Sequence, residues 1–552
     1  MSESVAFGLG EFLRYRCAGP YALARRRNVR PTNWFVMPGA GYDIRVAIVV
    51  DGRRIGILRL AGAAVVMSVA LGSSSCAGAD PPPRRADPLL MARAAPAAAG
   101  TSVLVGSPDA LATGVAQTLF SSAPVVVIAD AGRVAEVSAA AARAAQAHAP
   151  LLLATGDTVG AATRAEIGSL HPRAVLAVGI GRKALAAQLH GTRVVTRPAA
   201  LPATRALPPL GHVVVLVHKG TAAAEVAAVT TAQAAGAQVV TVHGYDPRAD
   251  PAAISALSAA RPRRVIALGA GFRPVSRMRA RLAVAETGVQ LPGGGQVLFP
   301  MRRLVALYGH PGTPSLGALG EQDLPASIAR AKKTAARYRR LSNVPVIPAF
   351  EIIATVAEGS PGPDGSYSYQ TPLAMLRPWV KRASVAGMYI VLDLQAGKAS
   401  LLTQAKKYEA FLDRPNVGLA LDPEWKLQPG QRPLRQIGSV DAREINSVSN
   451  WLADLTARHH LPQKLLVLHQ FRLAMIGNEN SVDTRHDNLA IVIHMDGQGT
   501  PTDKQQTWQA VTGAAPRRVF FGWKNFYAKD HPMLGPRQTM ARLPKPVMIS
   551  YQ

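Results

Sequence analysis

The chain has 552 residues, of which 48% are hydrophobic, 17% charged and 5% aromatic, so two or more folded units are expected and wholesale disorder is excluded. Lys and Arg outnumber Asp and Glu by 62 to 34, a formal charge of +28 that favours contact with polyanions such as anionic lipid or wall polymers. The basic residues are dispersed among apolar stretches, without zinc-finger spacing, an RNA-binding aromatic signature or a long basic arm, which argues against nucleic acid.

Residues 1–75 read as a targeting segment. Arg53, Arg54 and Arg59 precede the uncharged run Leu60 to Gly72, and Ser73-Ser74-Ser75 leads into Cys76. A basic region, a short apolar region and small residues before a cysteine make a signal of the lipoprotein type. The apolar run is too short to span a hydrocarbon core of ~30 Å as a helix, so cleavage is expected rather than a permanent span. The site resembles a bacterial lipobox, with Ser73 where leucine is common. That resemblance implies a diacylglycerol on Cys76 and an anchor on the outer face of the cell membrane. The first 45 residues fit neither a signal nor a domain, and Met37 makes a more conventional start. Cys17 lies inside them, so with Cys76 modified no disulfide or cysteine-ligated metal is expected.

Residues 76–100, rich in Pro, Ala and Gly, read as a tether, with folded sequence from about Val103. Over residues 101–290, continuous apolar runs such as VVVIAD, LLLA and AVLAVG alternate with Ala-rich helical patterns. This predicts flavodoxin-like modules, parallel sheets with helices on both faces. Within it, Pro150, Leu151 to Leu153, Leu170, Pro172 and Gly179 follow the core pattern of a known repeat, and Pro108, Asp109, Ala110 and Leu111 echo its Asp-Ala-Leu element. The region resembles the cell-wall-binding repeat of the second type found on Gram-positive surfaces. The opening element of that repeat is missing here. The resemblance implies binding to an anionic wall polymer; the alternative is a generic α/β domain. Gly179-Ile180-Gly181 and Gly269-Ala270-Gly271 do not complete a dinucleotide fingerprint and read as tight turns.

After a hinge at Gly293-Gly294-Gly295, residues 300–552 carry eight strand candidates: Arg302 to His310, Val344 to Glu351, Gly387 to Gln395, Asn416 to Trp425, Lys464 to Phe471, Leu489 to Gly499, Arg517 to Asn525 and Pro546 to Gln552. Most intervals contain a helical pattern. Eight parallel strands in about 250 residues is the count and length of a (β/α)8 TIM barrel, whose chemistry sits at the carboxyl ends of the strands. Along the fourth candidate Gly418, Ala420, Asp422 and Glu424 share one parity and Val417, Leu419 and Leu421 the other, so the carboxylates are expected inside. The same alternation puts Asp393 with Val391, His469 with Val467, and His494 and Asp496 with Val492.

Glu351, Asp393, Asp422, Glu424 and Asp496 are the candidate catalytic groups, because paired carboxylates serve glycoside hydrolysis as acid and as nucleophile or base. Glu424 or Glu351 is the expected proton donor, partnered by Asp422 or Asp393. His310, Trp425, His469, Gln470, His494, Trp523, Lys524 and Tyr551 are the candidate substrate-binding residues, with the aromatic rings able to stack on sugars. The segment resembles a glycosidase-type barrel without matching a named catalytic family. Two alternatives stand beside it. His469, His494, Asp393 and Asp496 could ligate a divalent metal for deacetylation or phosphoester hydrolysis, although no HExxH motif is present. The same groups could form a hydrogen-bonded network in a noncatalytic wall-binding scaffold. Placement outside the membrane favours cofactor-free work on an envelope polysaccharide.

Overall fold

A computed structural model describes residues 45–50, 53–59, 88–96, 98–220 and 225–552. The apolar run of the signal, Cys76 and the first part of the tether lie outside the described residues. Arg45–Val50 and Arg53–Arg59 pair as an antiparallel hairpin, which includes the three arginines expected to open the signal. Among the described residues no helix is long and apolar enough to cross a membrane.

The compact unit Ala86–Gln552 begins earlier than composition suggests. Leu90–Met91 pairs with Thr204–Arg205, Arg93–Ala94 pairs with Phe120–Ser122, and Ala92 is buried between them. The Pro/Ala-rich stretch is thus held at its end by ladder hydrogen bonds with distant chain, which composition cannot report. Two four-stranded sheets follow. The first runs Val194–Val195, Ala174–Val178, Val125–Asp130, Leu151–Ala154, and the second Gln238–Val242, Val213–His218, Arg264–Leu268, Gly100–Leu104, every pair being parallel. Their apolar runs are buried on both faces, the reason they lack alternation. On the edge strand of the first sheet the Thr231 hydroxyl both receives the Leu151 N–H (3.0 Å) and donates to the Leu151 carbonyl (2.8 Å), closing an otherwise open ladder.

The second half is a closed barrel of eight parallel strands: β1 (Arg303–Gly309), β2 (Val346–Ala357), β3 (Tyr389–Leu394), β4 (Val417–Leu421), β5 (Lys464–Gln470), β6 (Leu489–Met495), β7 (Phe520–Asn525) and β8 (Met548–Tyr551). Each pairs with its chain neighbours, and β8 closes on β1. Six of the seven connections contain an α-helix; the β5–β6 connection instead has 3-10 turns at Leu473–Met475 and Glu479–Ser481 and a short strand, Ile476–Gly477, paired with Val440–Asp441. Asp323 and Asp441 cap the helices after β1 and β4, and Thr500 with Asp503 forms a capping box after β6.

The two parities of the strands separate into two cores. Ala306, Ala349, Tyr389, Val391, Ala420, Val467, Val492 and Met548 fill the lumen. Val305, Phe350, Leu392, Leu419, Leu468, Ile491 and Ile549 meet the helices. Leu291, Leu298 and Phe299, from the segment ahead of β1, join the lumen core and stopper its amino-terminal end. The triple glycine is therefore no hinge. Arg302, buried beside it, donates to the carbonyls of Pro292, Gly294 and Val297, and a side chain at Gly293, where φ is +88°, would meet Ile347 at 2.7 Å. Arg248 and Arg281 from the second parallel sheet's region converge on Asp487 at the amino end of β6, at 2.6 Å each, tying the halves of the unit together.

Candidate functional site

Closure aims the lumen-side residues at the carboxyl ends of the strands into one ring: Tyr308 on β1, Glu351 on β2, Asp393 on β3, Asp422 just after β4, His469 on β5, His494 on β6 with Asp496 two residues on, Lys524 on β7 and Ser550 on β8. All but Asp496, 8% exposed, are 3% exposed or less. Glu424 and Trp425 follow on a 3-10 turn and are half-buried.

His469 is the centre. Its Nε2 lies 3.0 Å from Glu351 Oε1 and its Nδ1 lies 3.0 Å from Asp496 Oδ2. Burial disfavours the imidazolium, but the charge of Glu351 and the hydrogen bond to Asp496 outweigh it and hold the ring protonated well above the ordinary histidine range. The reciprocal effect keeps the two carboxylates ionised: burial pushes Glu351 and Asp496 up, and His469 brings both below the ordinary value. Glu351 is thus held as a carboxylate and is unsuited to donate a proton.

The other carboxyls shift oppositely. Burial, with further repulsion from Glu351, lifts Asp393 to about 6, although His469 and a 2.7 Å hydrogen bond from the Tyr308 hydroxyl pull the other way. Asp422 is raised well above its usual range by burial and then by Asp393, and Glu424 by burial and then by Asp496. Two carboxylates lowered by His469, one titrating near 6 and two raised by burial form a graded acid and base set within one ring.

His494 is different in kind. Its Nε2 contacts Ser550 Oγ at 2.7 Å, and burial pushes it down to about 3, so it stays neutral. Its ring fits only because β7 carries glycine alongside: a Cβ at Gly522 would lie 2.0 Å from His494 Nδ1. The Lys524 ammonium rests 3.4 Å from the centroid of the Tyr308 ring. Among the described residues four buried polar atoms of the ring have no hydrogen-bond partner: Glu351 Oε2, Asp393 Oδ1, which lies 4.0 Å from His469 Nε2, Asp496 Oδ1 and His494 Nδ1. Such atoms are rare in a folded interior and mark a place for water or a ligand.

Several expected residues lie elsewhere. Trp523 and Tyr551 have the opposite parity to Lys524 and Ser550 and point outward: Trp523 packs on Trp508 at 5.5 Å between ring centroids, and the Tyr551 hydroxyl meets that of Tyr338. Both are fully buried and offer no face to a sugar. His310 lies past the end of β1, where the chain turns; its Nδ1 accepts the Gly312 N–H, so Nε2 carries the proton and donates to Thr371 Oγ1 at 3.0 Å. Gln470 has outward parity and donates to Glu479 at 2.9 Å. The metal reading meets a specific obstacle, since both nitrogens of His469 are engaged by carboxylates. Among the described residues no group of three or more His, Cys, Asp or Glu side chains is placed to hold a metal ion.

Tyr308, Gln395 and Ser550 are members that sequence reasoning missed. Tyr308 shares the parity of Leu304 and Ala306, a signal that was available. Gln395, which donates to the Tyr308 hydroxyl at 3.4 Å, lies just past β3, where alternation no longer applies.

No protein-family model matches the chain, and no curated protein matches it. Among solved structures it is similar to Cwp6 from Clostridium difficile, with a TM-score of 0.28 and 12% identity over 54% of this chain and 63% of that one. The chain thus spans less than two thirds of that protein's length.

Proposed function

We propose that the barrel is a glycoside hydrolase acting on a polysaccharide of the cell envelope, carried on the outer face of the membrane by a lipid on Cys76, with the parallel sheets ahead of it as wall-binding modules. The anchor and the modules rest on the sequence pattern. The hydrolase reading rests on one observation: carboxyls shifted in opposite directions share a ring with acceptors that lack a hydrogen-bond partner. Sugar hydroxyls are the donors that such acceptors lack. In this reading Glu424, whose carboxyl burial and Asp496 raise above its ordinary value and which is the most accessible of the set, delivers a proton to the leaving oxygen. Asp393, ionised above about 6 and steadied by Tyr308, serves as nucleophile or base. Asp422 stays neutral between them as a hydrogen-bond donor.

The near-complete burial of the ring favours a second reading, a sealed network in a barrel that binds glycan without cleaving it. One experiment separates them. The protein is incubated with purified envelope polysaccharides and released reducing ends are measured, alongside Glu424→Gln, Asp393→Asn and Asp422→Asn variants shown to be folded. Release by the parent that is lost in Glu424→Gln and Asp393→Asn supports hydrolysis. Binding without release from any glycan moves the function to binding.

A further inference from the structure

Lys524 has no part in the acid and base assignment, and its surroundings are unusual. It is 3% exposed, at the carboxyl end of β7 on the lumen side, yet among the described residues its ammonium makes no hydrogen bond and no ion pair. Its ammonium lies over two ring faces, Tyr308 at 3.4 Å and Phe526 at 5.4 Å from the centroids. The other buried lysine nearby shows what a matched cation looks like in this protein. Lys504 donates to Asp530 at 2.6 Å and to the carbonyl of Lys524 at 2.7 Å, against the same Phe526 ring.

A lysine that served only to neutralise the ring would close on one of its carboxylates. Glu351, Asp393, Glu424 and Asp496 all feel the charge of Lys524, and none pairs with it. Glu351 and Asp496 already have His469 between them. The Nζ of Lys524 is not among the sealed unpartnered atoms of the ring, so solvent reaches it, and its three donors are free for a ligand. A second lysine, Lys529, is exposed on the turn after β7 and also acts on Glu424, so two cations flank the same side of the mouth, one at the lip and one within.

We propose that Lys524 seats an anionic substituent of the glycan, a carboxylate or a phosphate ester on the sugar, with Lys529 drawing it into the mouth. This rests on the reading of the barrel as a site for sugars. It narrows the substrate to acidic glycans, whose charged group docks beside β7 while hydroxyls meet Glu351, Asp393 and Asp496.

The test uses the full chain and three probes, glucose, glucuronate and glucose 6-phosphate, with affinities measured by calorimetry for the parent, Lys524→Met and Lys529→Gln. Glucuronate or the phosphate ester is expected to bind the parent about 10-fold or more tighter than glucose, the scale of a charge-assisted hydrogen bond. Whichever binds identifies the anionic group. K524M should remove that preference, bringing the acidic sugars to the affinity of glucose measured in the same variant, and K529Q should reduce it by about 2-fold to 3-fold in low salt only. Equal binding of all three probes, binding of none, or a preference surviving in K524M overturns the proposal. Should K524M not fold, K529Q decides: a preference unaltered by that exposed substitution overturns the proposal, and a reduced one supports it. Reducing-end release from acidic and neutral glycans is followed in parallel. Lys524-dependent binding of the acidic sugar without cleavage removes the hydrolase reading alone, whereas equal cleavage of acidic glycan by parent and K524M removes the Lys524 assignment alone.

Discussion

The Nε2 of His469 lies 3.0 Å from Oε1 of Glu351, across 118 residues of chain and with neither side chain in contact with solvent. Replacing His469 with Gln leaves Glu351 and Asp496 buried without their cation, and loss of one partner from such a network costs about 3–5 kcal/mol. The pH dependence has two limbs. Glu351 and Asp496 are lowered, so their stabilisation is present above the ordinary carboxylate range and is lost as pH falls through their folded values. His469 is raised, so its stabilisation is complete below its ordinary 6.5 and is lost as pH rises through its higher folded value. Melting temperatures from pH 4 to 10 should show a plateau around neutrality with declines on both sides, and the alkaline decline should vanish in H469Q. An alkaline limb unchanged in that variant rules the assignment out.

Hydrolysis by Asp393 and Glu424 requires the first ionised and the second protonated. Asp393 titrates near 6 and Glu424 above its usual range, so kcat/KM should follow a bell whose acidic limb lies near 6. Glu424→Gln should lower kcat by about 10²- to 10⁴-fold on substrates with poor leaving groups. Tyr308→Phe removes a hydrogen bond that stabilises ionised Asp393, and should move the acidic limb to higher pH. A limb that stays put in Y308F separates Asp393 from the reaction.

Asp487 collects two guanidinium groups, Arg248 and Arg281, which are themselves well buried. The Asp487 side chain is 37% exposed, so solvent screens part of the interaction, and Asp487→Ala is expected to cost about 1–3 kcal/mol. Thermal melting gives the magnitude. Limited proteolysis of the variant should open new cleavages near residues 245–250 and 281–290; an unchanged digestion pattern would show that the stoppering segment alone joins the two halves.

At Gly522 an added methyl would meet the His494 ring at 2.0 Å. Gly522→Ala should displace His494 from Ser550 and cost about 1–3 kcal/mol by overpacking. At Gly513, where a Cβ meets nothing, the same change falls at the exposed penultimate position of the helix Pro501–Ala514 and should be neutral or mildly stabilising. Denaturant midpoints of the two variants provide the check, and similar shifts in both would argue against a tight fit around His494.

The barrel was legible because each strand announces itself locally. VALY, YIVLDL, VGLAL and LAIVIHM alternate or run apolar over the length of one strand, and parity along them assigned Asp393, Asp422, His469 and His494 to the lumen before any contact was known. Parity fails one residue beyond a strand, where His310 and Gln395 lie, and adjacent Trp523 and Lys524, both candidates in the sequence, fall on opposite faces of β7. The helix-free β5–β6 connection and the pairing of Leu90 with Thr204 gave no periodic signal at all.

Taken alone, the sequence determined the alternation of strands and helices, the count of eight, and which side chains share a face, because these follow from a two-residue period and from patterns within a dozen positions. Only the tertiary structure decided that His469 lies between Glu351 and Asp496, that His494 is neutral beside Gly522, and that Lys524 rests on the Tyr308 ring with no ion pair among the described residues. Those facts depend on closure of the barrel, which sets distances between residues more than a hundred positions apart, and on burial, which turns those distances into protonation states.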